Sequence, residues 1–250
     1  MILEKIPILN NNYVWVLYDS DKYCIIIDPG SSDRVIETIK KNKWHPVAIL
    51  LTHAHIDHTG GVLNIKKKYP NIIVYGPYET RKYNINIIVN GGEVIRILKR
   101  NFFVFFTPGH TMGHVSYYSP PYIFCGDVLF SGGCGNVEKN NYLDMYNSIK
   151  KISSLPNSTF LCCTHEYTFS NIKFSLSILP NDIELNRYYL SVEKKIKIDQ
   201  CTLPSLIFYE KKINLFLRTG EFFLKQSIGM DKNSNSFETF VKLRLMKNLY

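Results

Sequence analysis

No apolar run in this 250-residue chain approaches the roughly 18 residues that a membrane-spanning helix needs, which excludes an integral membrane protein of the helical kind. There is no Cys-x-x-Cys pair among Cys24, Cys125, Cys134, Cys162, Cys163 and Cys201. Four of these six lie in apolar, strand-like runs, so buried free thiols of a reducing compartment explain them better than disulfides. No internal repeat and no low-complexity segment interrupts the chain. No dense basic block stands out either: the richest runs are Lys66-Lys67-Lys68, Lys194-Lys195 and Lys211-Lys212, which read as solvated helix faces or turns. Met1-Ile2-Leu3-Glu4-Lys5-Ile6-Pro7 passes at once into strand-like sequence and leaves no room for a signal or transit peptide, so the cytoplasm is the expected compartment.

What is present describes an ordinary globular protein, 45% hydrophobic and 20% charged. A chain of this length buries roughly three quarters of its unfolded surface and needs no covalent staple. The net charge of 30 − 21 = +9 favours anionic partners and leaves nucleic acid, acidic lipid and small acidic metabolites open.

The first two thirds alternate strands and helices. Tyr13–Tyr18 and Tyr23–Asp28 read as a hairpin around Asp19-Ser20-Asp21. Pro29-Gly30-Ser31-Ser32 then opens a helix to about Lys41, with Ser32 as the expected N-cap. Val47–Leu51 is a short buried strand, and a helix follows Gly60-Gly61 as far as Tyr69. Ile72–Tyr75 and Phe102–Phe106 are strands, Val115–Tyr118 and Tyr122–Cys125 a second hairpin around Pro120-Pro121, Asn141–Ile152 a helix and Thr159–Cys163 a strand. The last third turns helical over Ile172–Leu179, Ile183–Ile196 and Phe237–Asn248, the last with a capping box from Asn235 and Glu238. A soft boundary falls near Asn171.

His53-x-His55-x-Asp57-His58 places four metal-binding side chains directly after a buried strand. Imidazole nitrogen and carboxylate oxygen suit zinc, iron or manganese. In a loop, His53 and His55 can share one ion while Asp57 and His58 face another. Further metal-type residues recur at strand exits: His110 after Phe102–Phe106, Asp127 after Tyr122–Cys125, and His165 after Thr159–Cys163. In layered α/β architectures such strand ends converge on one site. His45 reads as a surface residue, and spacing alone does not choose between His110 and His114 as ligand.

His-x-His-x-Asp-His, followed by Gly109-His110-Thr111-x-Gly113-His114, Gly126-Asp127 and Thr164-His165, resembles the metallo-β-lactamase superfamily in order and spacing. Within it the chain is similar to the glyoxalase II, or hydroxyacylglutathione hydrolase, family. Supporting segments are Leu9–Tyr13, Gly133-Cys134-Gly135, His165-Glu166-Tyr167-Thr168-x-x-Asn171, Phe216-Leu217-Arg218 and Leu243-Arg244-x-x-Lys247. The resemblance implies an α/β four-layer αβ/βα sandwich over residues 1–170 and a mainly helical substrate-binding region over 171–250. It implies two divalent ions, zinc first and iron or manganese otherwise: one held by His53, His55 and His110, the other by Asp57, His58 and His165, with Asp127 bridging. His114 then becomes a residue that supports the ligands from behind or packs the core.

The implied reaction is hydrolysis of S-(2-hydroxyacyl)glutathione, such as S-D-lactoylglutathione, by a metal-bridging hydroxide. This is the second step of methylglyoxal detoxification. Asp57 would also accept the water proton. The thiolate leaving group, with a pKa of about 8.5, needs little acid assistance, so no Ser-His-Asp or Cys-His apparatus is required. Cys134 accordingly reads as a packing residue. Tyr167, Arg244, Lys247 and Asn136 would meet the glutathione portion. Asn136 and Glu138 stand where the family usually has Lys and Tyr, and Lys139 is the nearby compensating charge. The alternatives are a mononuclear-iron glutathione-persulfide dioxygenase of the same superfamily, which lacks the long helical C-terminal region, and a hydrolase for another thioester or for nucleic acid. No nucleic-acid or membrane partner is expected, and a monomer is favoured.

Overall fold

The computed structural model describes residues 1–138 and 141–250. The chain begins with β1 (Ile2–Ile8), β2 (Asn12–Tyr18) and β3 (Tyr23–Ile27), crosses α1 (Asp33–Asn42) to β4 (His45–Leu50), then passes α2 (Ile56–Thr59) and α3 (Val62–Lys68) to β5 (Ile73–Gly76). A 3-10 turn over Tyr78–Tyr83 leads to β6 (Ile87–Ile88), β7 (Val94–Ile97), β8 (Arg100–Phe106), β9 (Val115–Ser119) and β10 (Tyr122–Gly126). Next come β11 (Leu129–Phe130), β12 (Gly133–Cys134), α4 (Tyr142–Ser153) and β13 (Phe160–Cys163). The C-terminal part holds α5 (Thr168–Ile178), α6 (Ile183–Lys197), β14 (Ser205–Leu206), α7 (Ile207–Ile213), α8 (Phe222–Ser227) and α9 (Ser236–Leu249).

Two six-stranded sheets result, in the orders β1-β2-β3-β4-β5-β6 and β14-β13-β10-β9-β8-β7. Their strands are apolar on both faces, and the period-2 alternation divides them between two cores. Cys24, Ile26, Ile49 and Leu51 pack outward under Val35 and Ile39 of α1 and Val62 and Ile65 of α3. Ile25, Ile27, Ala48 and Leu50 face inward, toward Phe102, Val104, Val115 and Tyr117 of the second sheet. That inner core continues through Met145, Ile149 and Ile152 of α4 to Phe240 and Leu243 of α9. The result is the four-layer sandwich with a helical C-terminal region. Trp15 ties the two sheets together, its Nε1 donating to Cys163 O at 2.9 Å.

The capping box at α9 forms as its sequence requires: Asn235 Oδ1 accepts from Glu238 N, and Glu238 Oε2 accepts from Asn235 N. Ser32 does sit at the N-cap position of α1 but makes no cap bond. Its backbone is already helical (φ −89°, ψ −33°) and its hydroxyl donates to Asp33 instead. The short elements β6, β7, β11, β12, β14, α2, α7 and α8 escape periodicity because none is long enough to show one. β14 nevertheless pairs with β13, so the C-terminal part adds an edge strand to the second sheet. All six cysteines are free thiols, five of them buried.

Candidate metal centre

The site assembles where strands end. β3, β4 and β5 run parallel in one sheet and β10 runs parallel to β13 in the other, so in each sheet these strands end at one edge, and a bridge between Asn12 and His165 links the two sheets there. Asp28, just past β3, adopts a left-handed conformation (φ 50°) and is 1% exposed. Its carboxylate accepts from Thr52 N at 2.8 Å and Thr52 Oγ1 at 2.7 Å, which fixes the exit of β4. The chain stays extended to His55, at the N-cap position of α2, and then turns helical. That change of conformation turns the chain between the first and second pair of ligands, while His58 still meets His53, ring centroids 4.0 Å apart. The turn after β3 touches the same segment: a Cβ on Gly30 would lie 1.7 Å from the Asp57 carbonyl oxygen, so only glycine fits there.

Two groups of ligand atoms form, His53–His55–His110 and Asp57–His58–His165, and a third, His53–His58–Asp127, joins them. His53 Nε2 and His110 Nε2 each lie 3.0 Å from His55 Nδ1. Asp127 stands between the groups, its Oδ2 3.5 Å from His110 Nε2 and 3.3 Å from His165 Nε2, and its Oδ1 3.3 Å from His58 Nε2.

The outward nitrogens of the rings are already engaged. His110 Nδ1 donates to Asn136 O at 3.0 Å, His165 Nδ1 to Asn11 Oδ1 at 3.2 Å, and His58 Nδ1 to Asp28 Oδ2 at 3.1 Å. Thr52 Oγ1 spends its proton on Asp28, so at 3.0 Å it accepts from His53 Nδ1. The Nε2 atoms of all four rings therefore point inward, free to ligate once any proton they carry is displaced. A single proton on His55 Nδ1 cannot serve both nitrogens that face it. His58 Nε2 and Asp127 Oδ1 are buried without a hydrogen-bond partner. Inward-facing imidazole nitrogens and orphaned buried polar atoms are what bound cations would satisfy, so the residues fit a binuclear metal site.

Charge follows geometry. Burial lowers His53 and His110 below the ordinary imidazole value, which keeps them neutral and ready to ligate. Burial alone would raise Asp127, but His58 and His165 outweigh it and hold the carboxyl well below the usual range. Asp57 is also held low, first by its hydrogen bond with His165 and then by His58 and Asn12, against the effect of burial.

Residues 9–88 and 85–165 match the family model of the metallo-beta-lactamase superfamily, and residues 166–250 match that of the hydroxyacylglutathione hydrolase C-terminus. The hydroxyacylglutathione hydrolase of Buchnera aphidicola subsp. Acyrthosiphon pisum (strain APS) is 58% identical over 250 residues, 100% of both chains. The chain belongs to the hydroxyacylglutathione hydrolase family. Among solved structures, ETHE1 from Myxococcus xanthus shares the fold at a TM-score of 0.67 and 20% identity, covering 100% of this chain and 91% of that one. TTHA1623, solved in a di-iron-bound form, is 25% identical at a TM-score of 0.55, over 66% of this chain and 92% of its own.

The structure places the remaining residues singled out in the sequence as follows. His114 is fully buried outside both ligand groups: its Nδ1 meets Thr107 Oγ1 at 3.1 Å and its Nε2 accepts from Asp127 N at 3.4 Å. His45 is exposed. Asn136 is exposed and reaches the cluster through its backbone carbonyl, on His110. Tyr167 stacks on His165 with ring planes 1° apart and centroids 4.7 Å apart. Arg244 is buried, its Nη1 donating to Cys134 O. Lys247 lies over the rings of Phe174 and Tyr250. Glu138 donates its backbone N–H to Gly109 O, and Lys139 lies outside the described residues.

Four residues that hold the ligands are not singled out by spacing: Asp28, Asn11, Asn12 and Glu79. Asp28 carries the same signal as Asp127, an acidic residue at a strand exit. Asn11 and Asn12 lie in the Leu9–Tyr13 segment that supports the resemblance, whereas Glu79 carries no signal, since carboxylates on loops are common.

Proposed function

We propose that the chain hydrolyses the thioester of S-(2-hydroxyacyl)glutathiones, with S-D-lactoylglutathione as the representative substrate, releasing glutathione and a 2-hydroxy acid. Family membership over the full chain supports the reaction class. The observation that carries the chemistry is the convergence of inward imidazole nitrogens on the Asp127 carboxylate, His58 at Oδ1 and His110 and His165 at Oδ2. Divalent ions, zinc by donor set and iron or manganese otherwise, would supply Lewis acidity and lower the pKa of a bound water to about 7. His53, His55 and His110 would hold one, Asp57, His58 and His165 the other, and Asp127 would belong to both.

The chain's own residues do the rest. Asp57 is half-buried and kept ionised, and Asn12 Nδ2 donates to its Oδ2 at 3.0 Å. A carboxylate so fixed at the cluster's rim is placed to take the proton of the attacking water. The departing thiol needs no acid of its own, with a pKa of about 8.5. Tyr167, locked against His165, presents a flat face to the peptide portion, and Lys247 supplies a cation for its carboxylate. The surplus of +9 favours such an anionic substrate. A cytoplasmic monomer acting in methylglyoxal detoxification completes the reading.

The test is a comparison of thioesters. The chain cleaves S-D-lactoylglutathione with higher kcat/KM than the same acyl group on a smaller thiol. Equal kcat/KM for both would leave a thioesterase without glutathione recognition, and no cleavage of either would end the proposal.

A further inference from the structure

Glu79 lies outside the cluster, in the 3-10 turn over Tyr78–Tyr83, yet its carboxylate joins two ligand-bearing segments. Oε1 accepts from Ala54 N at 3.1 Å and from Thr111 Oγ1 at 2.7 Å, and Oε2 accepts from Gly113 N at 2.8 Å. Ala54 is the residue between His53 and His55, and Thr111 directly follows His110. The same turn holds Ala54 a second time, because Tyr83 OH donates to Ala54 O at 3.3 Å. Both backbone polar groups between the first two histidines are thus fixed by one turn, and the third histidine's segment is tied to that turn by the same carboxylate. The other half of the cluster is braced separately, by Asn12 on Asp57, Asp28 on His58 and Asn11 on His165.

We propose that Glu79 is a positioning residue that clamps the His53–His55 and His110 segments into one ligand geometry and so sets metal affinity at that half of the cluster alone. This rests on the reading of the cluster as a binuclear metal site. The carboxylate is specifically required because all three partners are donors. In a Glu79→Gln variant one amide edge must present N–H groups to a donor, either Gly113 N–H or Ala54 N–H with the Thr111 hydroxyl. One bond is lost and a donor faces a donor, whichever way the amide turns. Outer braces of this kind are worth about 10- to 100-fold in metal affinity.

The experiment uses the full chain, stripped of metal and titrated with zinc against a chromophoric chelator. Wild type binds two ions per chain. Glu79→Gln binds one of them with wild-type affinity and the other about 10- to 100-fold more weakly, while Thr111→Val, which removes a single bond, shifts the same step by less. In a His165→Ala background Glu79→Gln weakens the remaining ion by the same factor, and in a His55→Ala background it changes nothing. Two wild-type affinities in Glu79→Gln, or equal weakening of both ions, overturns the proposal. If Glu79→Gln fails to fold, Thr111→Val decides: no shift overturns the clamp. A wild-type chain that binds no pair of ions would instead defeat the binuclear reading itself.

Discussion

The guanidinium of Arg244 is seated against the backbone of Cys134. Nη1 donates to the Cys134 carbonyl at 2.8 Å and to the Gly135 carbonyl at 3.4 Å, and Nε donates to Asn248 Oδ1 at 3.1 Å. The loop so braced lies behind the cluster. A Cβ on Gly135 would stand 1.8 Å from the Asp127 carbonyl oxygen, and the carbonyl of the next residue, Asn136, accepts a hydrogen bond from His110 Nδ1. Helix α9 therefore acts on the metal centre through one arginine and one tight loop.

Arg244→Ala and Lys247→Ala should differ in kind. Arg244 is 4% exposed, and its loss leaves two buried carbonyls unpaired, at a cost of roughly 1.5–3 kcal/mol in stability. The variant should lose kcat as well as gain KM, because the loop behind Asp127 and His110 relaxes. Lys247, whose nearest backbone acceptor is Ser170 O at 3.4 Å, should affect KM and leave kcat nearly intact. Steady-state kinetics with urea unfolding of both variants is the check. Wild-type kcat and stability in Arg244→Ala would show that the brace does not matter.

His110→Ala should strip metal, whereas His114→Ala should chiefly cost stability. Both rings lie near Asp127, but only His110 presents an inward Nε2 to His55. His114 spends its nitrogens on Thr107 and on the Asp127 backbone. Metal analysis and thermal melts separate the two. Greater metal loss in His114→Ala would reverse the assignment.

These two histidines mark how far the sequence could be read. The strands that carry the site were legible because their residues are apolar and β-branched or aromatic, and the acidic and imidazole residues at their exits stood out against that background. Which ring faces inward was not legible from spacing, since it depends on Thr107 and the Asp127 amide meeting His114 across a fold. Arg244 shows a second limit. A cation in an amphipathic C-terminal helix looks the same whether it points to solvent or to a buried carbonyl over 100 residues upstream. Short pieces such as β14 and α7 form because a neighbouring strand or core receives them, which local pattern cannot register.

Gly30→Ala should be far more damaging than its size suggests. The added methyl meets Asp57 O at 1.7 Å and the Asp57 carbonyl carbon at 2.3 Å, and both are backbone atoms. Either the turn after β3 or the start of α2 must move, and Asp57 and His58 move with it. The expected result is loss of metal at that half of the cluster together with a lowered melting temperature. A Gly30→Ala chain with full metal content and activity would show that the two loops yield independently.

Metal loading should release protons. Burial alone would lower His58 and His165, but Asp127 and Asp28 push His58 up to about 10, and Asp127 and Asp57 push His165 up to about 9. Both carry a proton at neutral pH in the metal-free chain, and an arriving cation must displace it. Affinity should therefore rise with pH. Stability of the metal-free chain should run the other way: these raised imidazoles contribute fully below the unfolded value of about 6.5, and the contribution fades as pH climbs through 9 to 10. Titration calorimetry in buffers of different ionisation enthalpy counts the protons. Zero release at neutral pH would contradict the charge arrangement.

If a binuclear centre built by these seven side chains performs thioester hydrolysis, activity must follow metal content. The decisive measurement strips the chain of metal, returns zinc in known equivalents, and follows thiol release from S-D-lactoylglutathione at each step. Turnover should be nil without metal and should rise to completion only at two equivalents per chain. Full activity at one equivalent, or activity that persists in the metal-free chain, would rule out a binuclear thioester hydrolase.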